Sequence, residues 1–309
     1  MASNTQSLGI SALAGLAALA AAAPKRKQHT LAAPPAKLLP PRATPYRDAT
    51  SRTLNGAAAL LALAALTDSG IEHYRGSFHN KTMYVPLGAA VVTLLASLRD
   101  TIVPGVTSRN ERGAIDVLAV TTGIIGTGFH VYNIGKRPSG FSWLNLFYAA
   151  PLGAPASLSL AGLLRRMALL IRTRTLIAGM VPGKVLAWLV SLGLLGTSAE
   201  AALLHFRGAY HNPAMVIPVT APPIAAGLLI GASAAPGRSH PLARWVLRLV
   251  AGAGLLGSAF HAYGISRNMG GWRNWSQNIL NGPPLPAPPA FTALAIAGLA
   301  ALSLIEKRR

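Results

Sequence analysis

His73-Tyr74-Arg75-Gly76-Ser77-Phe78-His79-Asn80, followed by Met83 and Pro86, returns further along the chain as His205-Phe206-Arg207-Gly208-Ala209-Tyr210-His211-Asn212, followed by Met215 and Pro218. The displacement is 205 − 73 = 132 residues. A second stretch, Gly126-Thr127-Gly128-Phe129-His130-Val131-Tyr132, returns as Gly257-Ser258-Ala259-Phe260-His261-Ala262-Tyr263, and 261 − 130 = 131. Two unrelated stretches displaced by nearly the same distance point to one block duplicated in tandem. Six of the eight histidines lie in these motifs.

What surrounds the motifs is apolar. The chain has 309 residues, of which 12% are charged, and a mean hydropathy of +0.42. Soluble domains carry about 25% charged residues, so this composition reads as an all-α, polytopic membrane protein. The abundant Gly, Ala and Pro suit spanning helices packed through small residues. Eight spans are expected, near 54–73, 83–98, 114–134, 147–164, 185–206, 213–235, 244–265 and 286–305. The second is short for a hydrocarbon core of about 30 Å.

The net charge of +20 does not call for a nucleic acid, because the cations alternate with the spans. Arg99, Arg109, Arg112, Arg165, Arg166, Arg172, Arg174, Lys184, Arg238, Arg244, Arg248 and Lys307-Arg308-Arg309 fall on one side. Arg75, Lys81, Lys136, Arg137, Arg207, Arg267 and Arg273 fall on the other. The richer side is cytoplasmic by the positive-inside rule, with both termini there, and the bilayer is a bacterial-type inner membrane. The chain then divides into a basic, Pro/Ala-rich disordered tail (1–52), a first four-helix repeat (53–165), an amphipathic cytoplasmic linker (166–182) and a second repeat (183–309). The rival for the tail is a ninth, marginal span over 8–23. Four crossings per repeat is an even number, so the repeat is parallel and its matched motifs share the periplasmic face.

On that face the chain concentrates its polar chemistry. His73, His130, His205 and His261 lie near the outward ends of spans one, three, five and seven, and His79 and His211 lie in the loops. Asp68 and Glu200 each stand five residues before a motif histidine, and Glu72 adds a third acid; the chain has only eight acids in all. Ionisable groups in or beside hydrocarbon are costly and mark function. The expectation is a metal or haem site shared by the halves. His73, His130, His205 and His261 are the leading ligands, His79 and His211 the next, and Asp68 and Glu200 serve as ligands or supports. Imidazole and carboxylate suit Fe, Cu or Zn. The absence of cysteine excludes thiolate sites and covalent c-type haem. Four helical histidines at one depth argue against a di-haem stack across the bilayer, leaving one bis-histidine haem or a mono- or dinuclear centre.

Such a protein is expected to be an electron-transfer or anchoring subunit for a periplasmic redox partner, or a small membrane metalloenzyme. The alternative is a transporter or channel in which the same groups couple protons or a cation, and a third reading is a structural scaffold. Matched cations (Arg75 and Arg207, Lys136 and Arg267) read as contacts to headgroups or acids. Asn80 and Asn212 read as turn formers. The aromatics Phe141, Trp143, Trp272 and Trp275 read as an interfacial belt. There is no phosphate-binding glycine loop, dinucleotide fingerprint or nucleophile elbow.

Overall fold

The computed structural model describes residues 44–103 and 109–307. Eight helices in it are long and apolar enough to cross a membrane. They are α1 (Pro45–Arg75), α2 (Val85–Ile102), α3 (Arg109–Gly135), α4 (Gly153–Thr173), α5 (Pro182–Arg207), α6 (Ile217–Ala234), α7 (Pro241–Ser266) and α8 (Pro289–Glu306). Two short helices, Trp143–Phe147 and Trp275–Asn281, precede α4 and α8. Among the described residues the only β pairing is a single bridge between Ile177 and Met180.

Three rings of helices organise the chain. In the first half α1, α2, α3 and α4 pack in cyclic order, and in the second α5, α6, α7 and α8 do the same. The halves meet through α1 against α8 and α4 against α5, so α1, α4, α5 and α8 form a central ring. Between 44% and 67% of the apolar windows of these four helices is buried in the protein, against 17–22% for α2, α3, α6 and α7. One continuous core of Ala and Leu, including Leu54, Leu61, Leu164, Leu186, Leu194 and Leu294, runs through both halves. Within each ring the diagonals differ: α2 touches α4 and α6 touches α8, whereas α1 and α3, and α5 and α7, make marginal contact at most.

Matched glycines set the closest crossings. A Cβ on Gly123 would collide with Pro155 O and with Ser159, and one on Gly254 with Pro288 O (2.8 Å) and with Thr292. Each crossing is closed by a hydroxyl that donates to a main-chain carbonyl of the glycine-bearing helix. Ser159 Oγ donates to Val120 O (3.1 Å) and Thr292 Oγ1 to Ala251 O (2.7 Å).

The observed elements correct several expectations. Residues 45–52, expected in the tail, are the first two turns of α1. Thr44 caps them by accepting from the Arg47 amide (3.4 Å). They are held on the end of α4, where Asp48 pairs with Arg172 (2.7 Å) and Arg47 donates to the carbonyls of Ile171 (3.2 Å) and Arg174 (3.1 Å). The stretch 166–173, expected as a separate surface helix, continues α4, because Met167, Ala168 and Ile171 extend its buried face. The connection to α5 is only 174–181. The second span is not short, since a 3-10 turn, Lys81–Tyr84, leads into α2. Residues 1–43, where the disordered tail and the 8–23 span were placed, lie outside the described residues.

Candidate functional site

The two copies of the first motif fold into the same loop, atom for matching atom. After α1 ends at Arg75, Ser77 (φ 57°) and Phe78 (φ 44°) both adopt the left-handed conformation; after α5, Ala209 (55°) and Tyr210 (45°) repeat it. Residues other than Gly, Asn and Asp rarely enter this region, and two consecutive ones reverse the chain sharply. The reversal returns Phe78 N–H to His73 O (3.0 Å) and Tyr210 N–H to His205 O (3.1 Å). Each aromatic ring then meets its histidine edge-on, at 6.2 and 6.1 Å between centroids. The invariant parts of the motif follow from this geometry. Gly76 and Gly208 leave room for the Met83 and Met215 methyls, which would lie 3.3 and 3.1 Å from an added Cβ. Asn80 and Asn212 accept from the amides of Thr82 (3.0 Å) and Ala214 (2.9 Å), starting the 3-10 turns.

All four helical histidines are oriented in the same way. His73 Nδ1–H donates to Met83 O (2.8 Å) and His205 Nδ1–H to Met215 O (2.9 Å). His130 Nδ1–H donates to Pro151 O (2.6 Å) and His261 Nδ1–H to Pro284 O (2.7 Å). Each bond ties the end of one helix to the approach of the next, and each fixes the tautomer with Nε2 as the lone-pair nitrogen. None of the four Nε2 atoms has a hydrogen bond, and none is among the sealed, unsatisfied polar atoms. A histidine anchored through Nδ1 on a carbonyl presents Nε2 as its free nitrogen, an arrangement that histidine ligands also use.

Within each half the two helical histidines are close enough for their charges to interact. His130 lies within electrostatic reach of His73 and Glu72, and His261 within reach of His205. In both cases the pair sits on the open diagonal, α1 with α3 and α5 with α7. The acids come together separately, across the halves: Glu200 on α5 is within reach of Asp68 on α1. Glu200 also faces the main chain of Leu152 and Gly153 at the start of α4. Its oxygen would lie 2.7 Å from a Cβ at Gly153. Asp68 faces Glu72 and Arg75. His79 and His211 are exposed in their loops and bond back to Gly76 O and Gly208 O, both at 3.0 Å. Among the described residues no three of His, Asp and Glu are grouped to hold a metal ion.

Around the histidines the matched cations take local partners. Arg75 pairs with Glu72 (2.7 Å), Lys136 lies over Tyr132 and Arg267 over Tyr263. A groove of about 450 Å³ opens beside Tyr74, Arg75, Phe78 and Tyr84, the last two rings being stacked at 4.4 Å. The Trp143–Phe147 and Trp275–Asn281 helices are pinned alike. Asn145 Nδ2 donates to Pro138 O (2.8 Å) and Gly140 O (2.7 Å), and Asn278 Nδ2 to Met269 O (3.2 Å) and Gly271 O (2.8 Å). Sequence reading missed that Asn145 and Asn278 correspond, because two extra residues in the second copy shift the register.

It also missed a buried ionic cluster at the opposite end of the first half. Arg165 on α4 donates from Nε to Asp116 Oδ1 on α3 (3.0 Å), from Nη2 to Asp100 Oδ2 on α2 (3.2 Å) and from Nη1 to Ser97 Oγ (3.2 Å). Arg112 Nη2 donates to Asp100 Oδ1 (3.1 Å). Arg112 and Arg165, expected as loop cations, are 5% and 3% exposed. The missed signal was the pair of acids, Asp100 and Asp116, at the edges of spans two and three.

Comparison with protein-family models, with curated proteins and with solved structures gave no match.

Proposed function

We propose that the chain is a duplicated, multi-pass inner-membrane protein that holds one haem in each half, between His73 and His130 and between His205 and His261, and passes electrons to or from a periplasmic redox partner. The observation that carries this reading is the pairing itself: two imidazoles per half, each anchored through Nδ1, each with an open Nε2, on diagonally placed helices. A bare Zn, Cu or Fe centre of ordinary coordination needs three or four protein ligands, and no such group is present among the described residues. Haem needs only its two axial ligands from the protein. With no cysteine in the chain, the haem would be of the non-covalent b type.

The matched loops, Nδ1 anchors and glycine crossings support duplication of a four-helix unit. On the positive-inside rule the histidine end is periplasmic and both termini are cytoplasmic. Arg75, Lys81, Arg207 and Arg267 then rim the histidine layer, where they would meet haem carboxylates or an acidic partner surface. The bound group would supply reversible one-electron chemistry, and His73, His130, His205 and His261 would hold it through their Nε2 atoms.

The test is the absorption spectrum and haem content of the purified, full-length chain supplied with haem. Expected are a Soret band and two b-type haems per chain, one in His73→Ala, and none in His73→Ala combined with His205→Ala. A colourless protein that takes up no haem sinks the proposal. Two copper ions per chain without a Soret band would replace haem by copper held between two imidazoles. A second reading, cation or proton transport, draws on the meeting of Asp68 and Glu200 between the halves; its assay is uptake into liposomes that depends on both acids.

A further inference from the structure

Each half's first-motif loop meets the short helix of the other half, and the two junctions are finished differently. Where the second half's loop lies on the helix Trp143–Phe147, the junction is filled with rings. Phe147 stands edge-on to Phe206 at 5.9 Å between centroids, and Trp143 lies 6.2 Å from the same ring. The Arg207 guanidinium covers Phe147 at 5.7 Å. Where the first half's loop faces the helix Trp275–Asn281, the matching positions are displaced by 280 − 147 = 133 and 206 − 74 = 132 residues. They hold Leu280 for Phe147, Ser276 for Trp143 and Tyr74 for Phe206. Two rings are missing, and at this junction the groove of about 450 Å³ opens between the loop and Leu280. Small-molecule sites have volumes of about 300–1,000 Å³.

The lining has changed in a consistent direction. Besides Tyr74 for Phe206, Ser77 stands for Ala209 and Tyr84 for Val216. Three hydroxyl-bearing residues therefore border the groove that the filled junction lacks. The one hydroxyl that runs the other way, on Tyr210 in place of Phe78, is spent on Ala202 O (3.2 Å). Arg75 has a partner of its own, because Glu72 pairs with it at 2.7 Å, where the second copy has Leu204. That guanidinium is neutralised, so an occupant need carry no charge. Phe78 and Tyr84 stack at 4.4 Å with only 7° between their planes, which forms a flat aromatic wall. The other neighbour of Phe78 is the His73 ring, at 6.2 Å.

We propose that this groove, present at one junction and filled at the other, binds the headgroup of a quinone. A quinone is a neutral planar ring, and a ring is what the counterpart junction holds in this place. Its carbonyl oxygens accept hydrogen bonds, for which Tyr74, Ser77 and Tyr84 carry donors. Its faces stack on aromatic rings, for which Phe78 and Tyr84 provide the wall. The choice of a quinone over other neutral rings rests on the redox reading above, in which a carrier bound beside His73 would stand next to the haem of the first half. Binding itself requires no haem.

The test is calorimetric titration of the purified, full-length chain in detergent with a short-tailed benzoquinone, against detergent alone, with haem content read on the same samples. Leu280→Phe with Ser276→Trp installs the rings that the other junction already uses. Tyr74→Phe removes one hydroxyl and keeps its ring. Expected are a single saturable site in the native chain, no saturable site in the filled variant, and affinity about fivefold weaker in Tyr74→Phe, the loss of one ordinary hydrogen bond. No saturable binding by the native chain overturns the proposal, and so does native-like binding in the folded, filled variant. Should that variant not fold, native-like affinity in Tyr74→Phe overturns it instead. A chain that takes up haem but no quinone loses the groove and keeps the haem reading; one that binds quinone without haem keeps the groove and loses the haem.

Discussion

His73 and Met83 are joined by a 2.8 Å bond from imidazole Nδ1 to main-chain oxygen, across the loop that turns α1 into α2. The bond does two things at once. It closes the hairpin, and it leaves Nε2 as the only basic nitrogen of the ring.

Those two roles separate under mutation. In His73→Asn the side-chain amide still has a donor for Met83 O but offers no imidazole. A hydrogen bond of this kind contributes about 1 kcal/mol. The variant is therefore expected to fold and to melt within a few degrees of the native chain, and, on the proposed function, to take up one haem where the native chain takes up two. Thermal unfolding followed beside haem content decides; loss of neither property would reduce His73 to a staple.

Ala209 occupies a left-handed conformation at φ 55°, which costs a non-glycine residue of order 1 kcal/mol or more. Ala209→Gly removes that strain, at a smaller entropic cost in the unfolded chain. The melting temperature should rise slightly, and Ser77→Gly should behave alike. A fall in both would mean that the loop conformation is not strained as the dihedrals indicate.

Gly123 and Gly254 each let a helix pass against the carbonyl of a proline, Pro155 or Pro288. An added methyl meets a side-chain hydroxyl (Ser159 or Thr292) and, behind it, main-chain atoms that cannot give way. Gly123→Ala and Gly254→Ala should each destabilise by about 1–3 kcal/mol, the usual cost of overpacking. Unfolding in mixed detergent measures it. Gly128, with open space around its Cβ position, is the control, and Gly128→Ala should be close to neutral.

Arg165 and Asp116 are each nearly sealed from solvent. Removing one partner strands the other, at about 3–5 kcal/mol, whereas replacing both with well-packed apolar groups is often neutral or favourable. Arg165→Gly alone should therefore be severely destabilised. The double change with Asp116→Leu should recover most of the loss. A double-mutant cycle on thermal stability checks the coupling, and additive single effects would contradict the geometry.

Much of the architecture was legible because two motifs recur along an apolar chain. Histidine, glycine and asparagine recur at one displacement, and each proves to have a fixed geometric task in the loop it builds. Eight apolar helices, their order and the shared end of the six motif histidines follow from the same pattern. What escaped was whatever depends on partners far apart in sequence. Arg165 reads as a loop cation until Asp116, 49 residues earlier, is seen beside it. Residues 45–52 read as tail because their helix is stabilised by Arg172 and the end of α4, not by their own apolar content. The division of the histidines into two pairs rests on which helices are diagonal, and hydropathy carries no information about that.

The lopsided placement of ions also bears on how the molecule is made. Asp116 is made on α3, but its guanidinium partner Arg165 belongs to α4, so on the proposed membrane reading the first half would enter the bilayer with an unpaired acid until its last helix arrives. At the matching positions of the second half Leu247 and Gly298 meet as neutral surfaces, and its ion pair, Arg244 with Glu306, is less deeply buried. On that reading, biogenesis of the first unit would be tied to completion of its fourth helix, and a chain truncated between α3 and α4 would strand an acid in lipid.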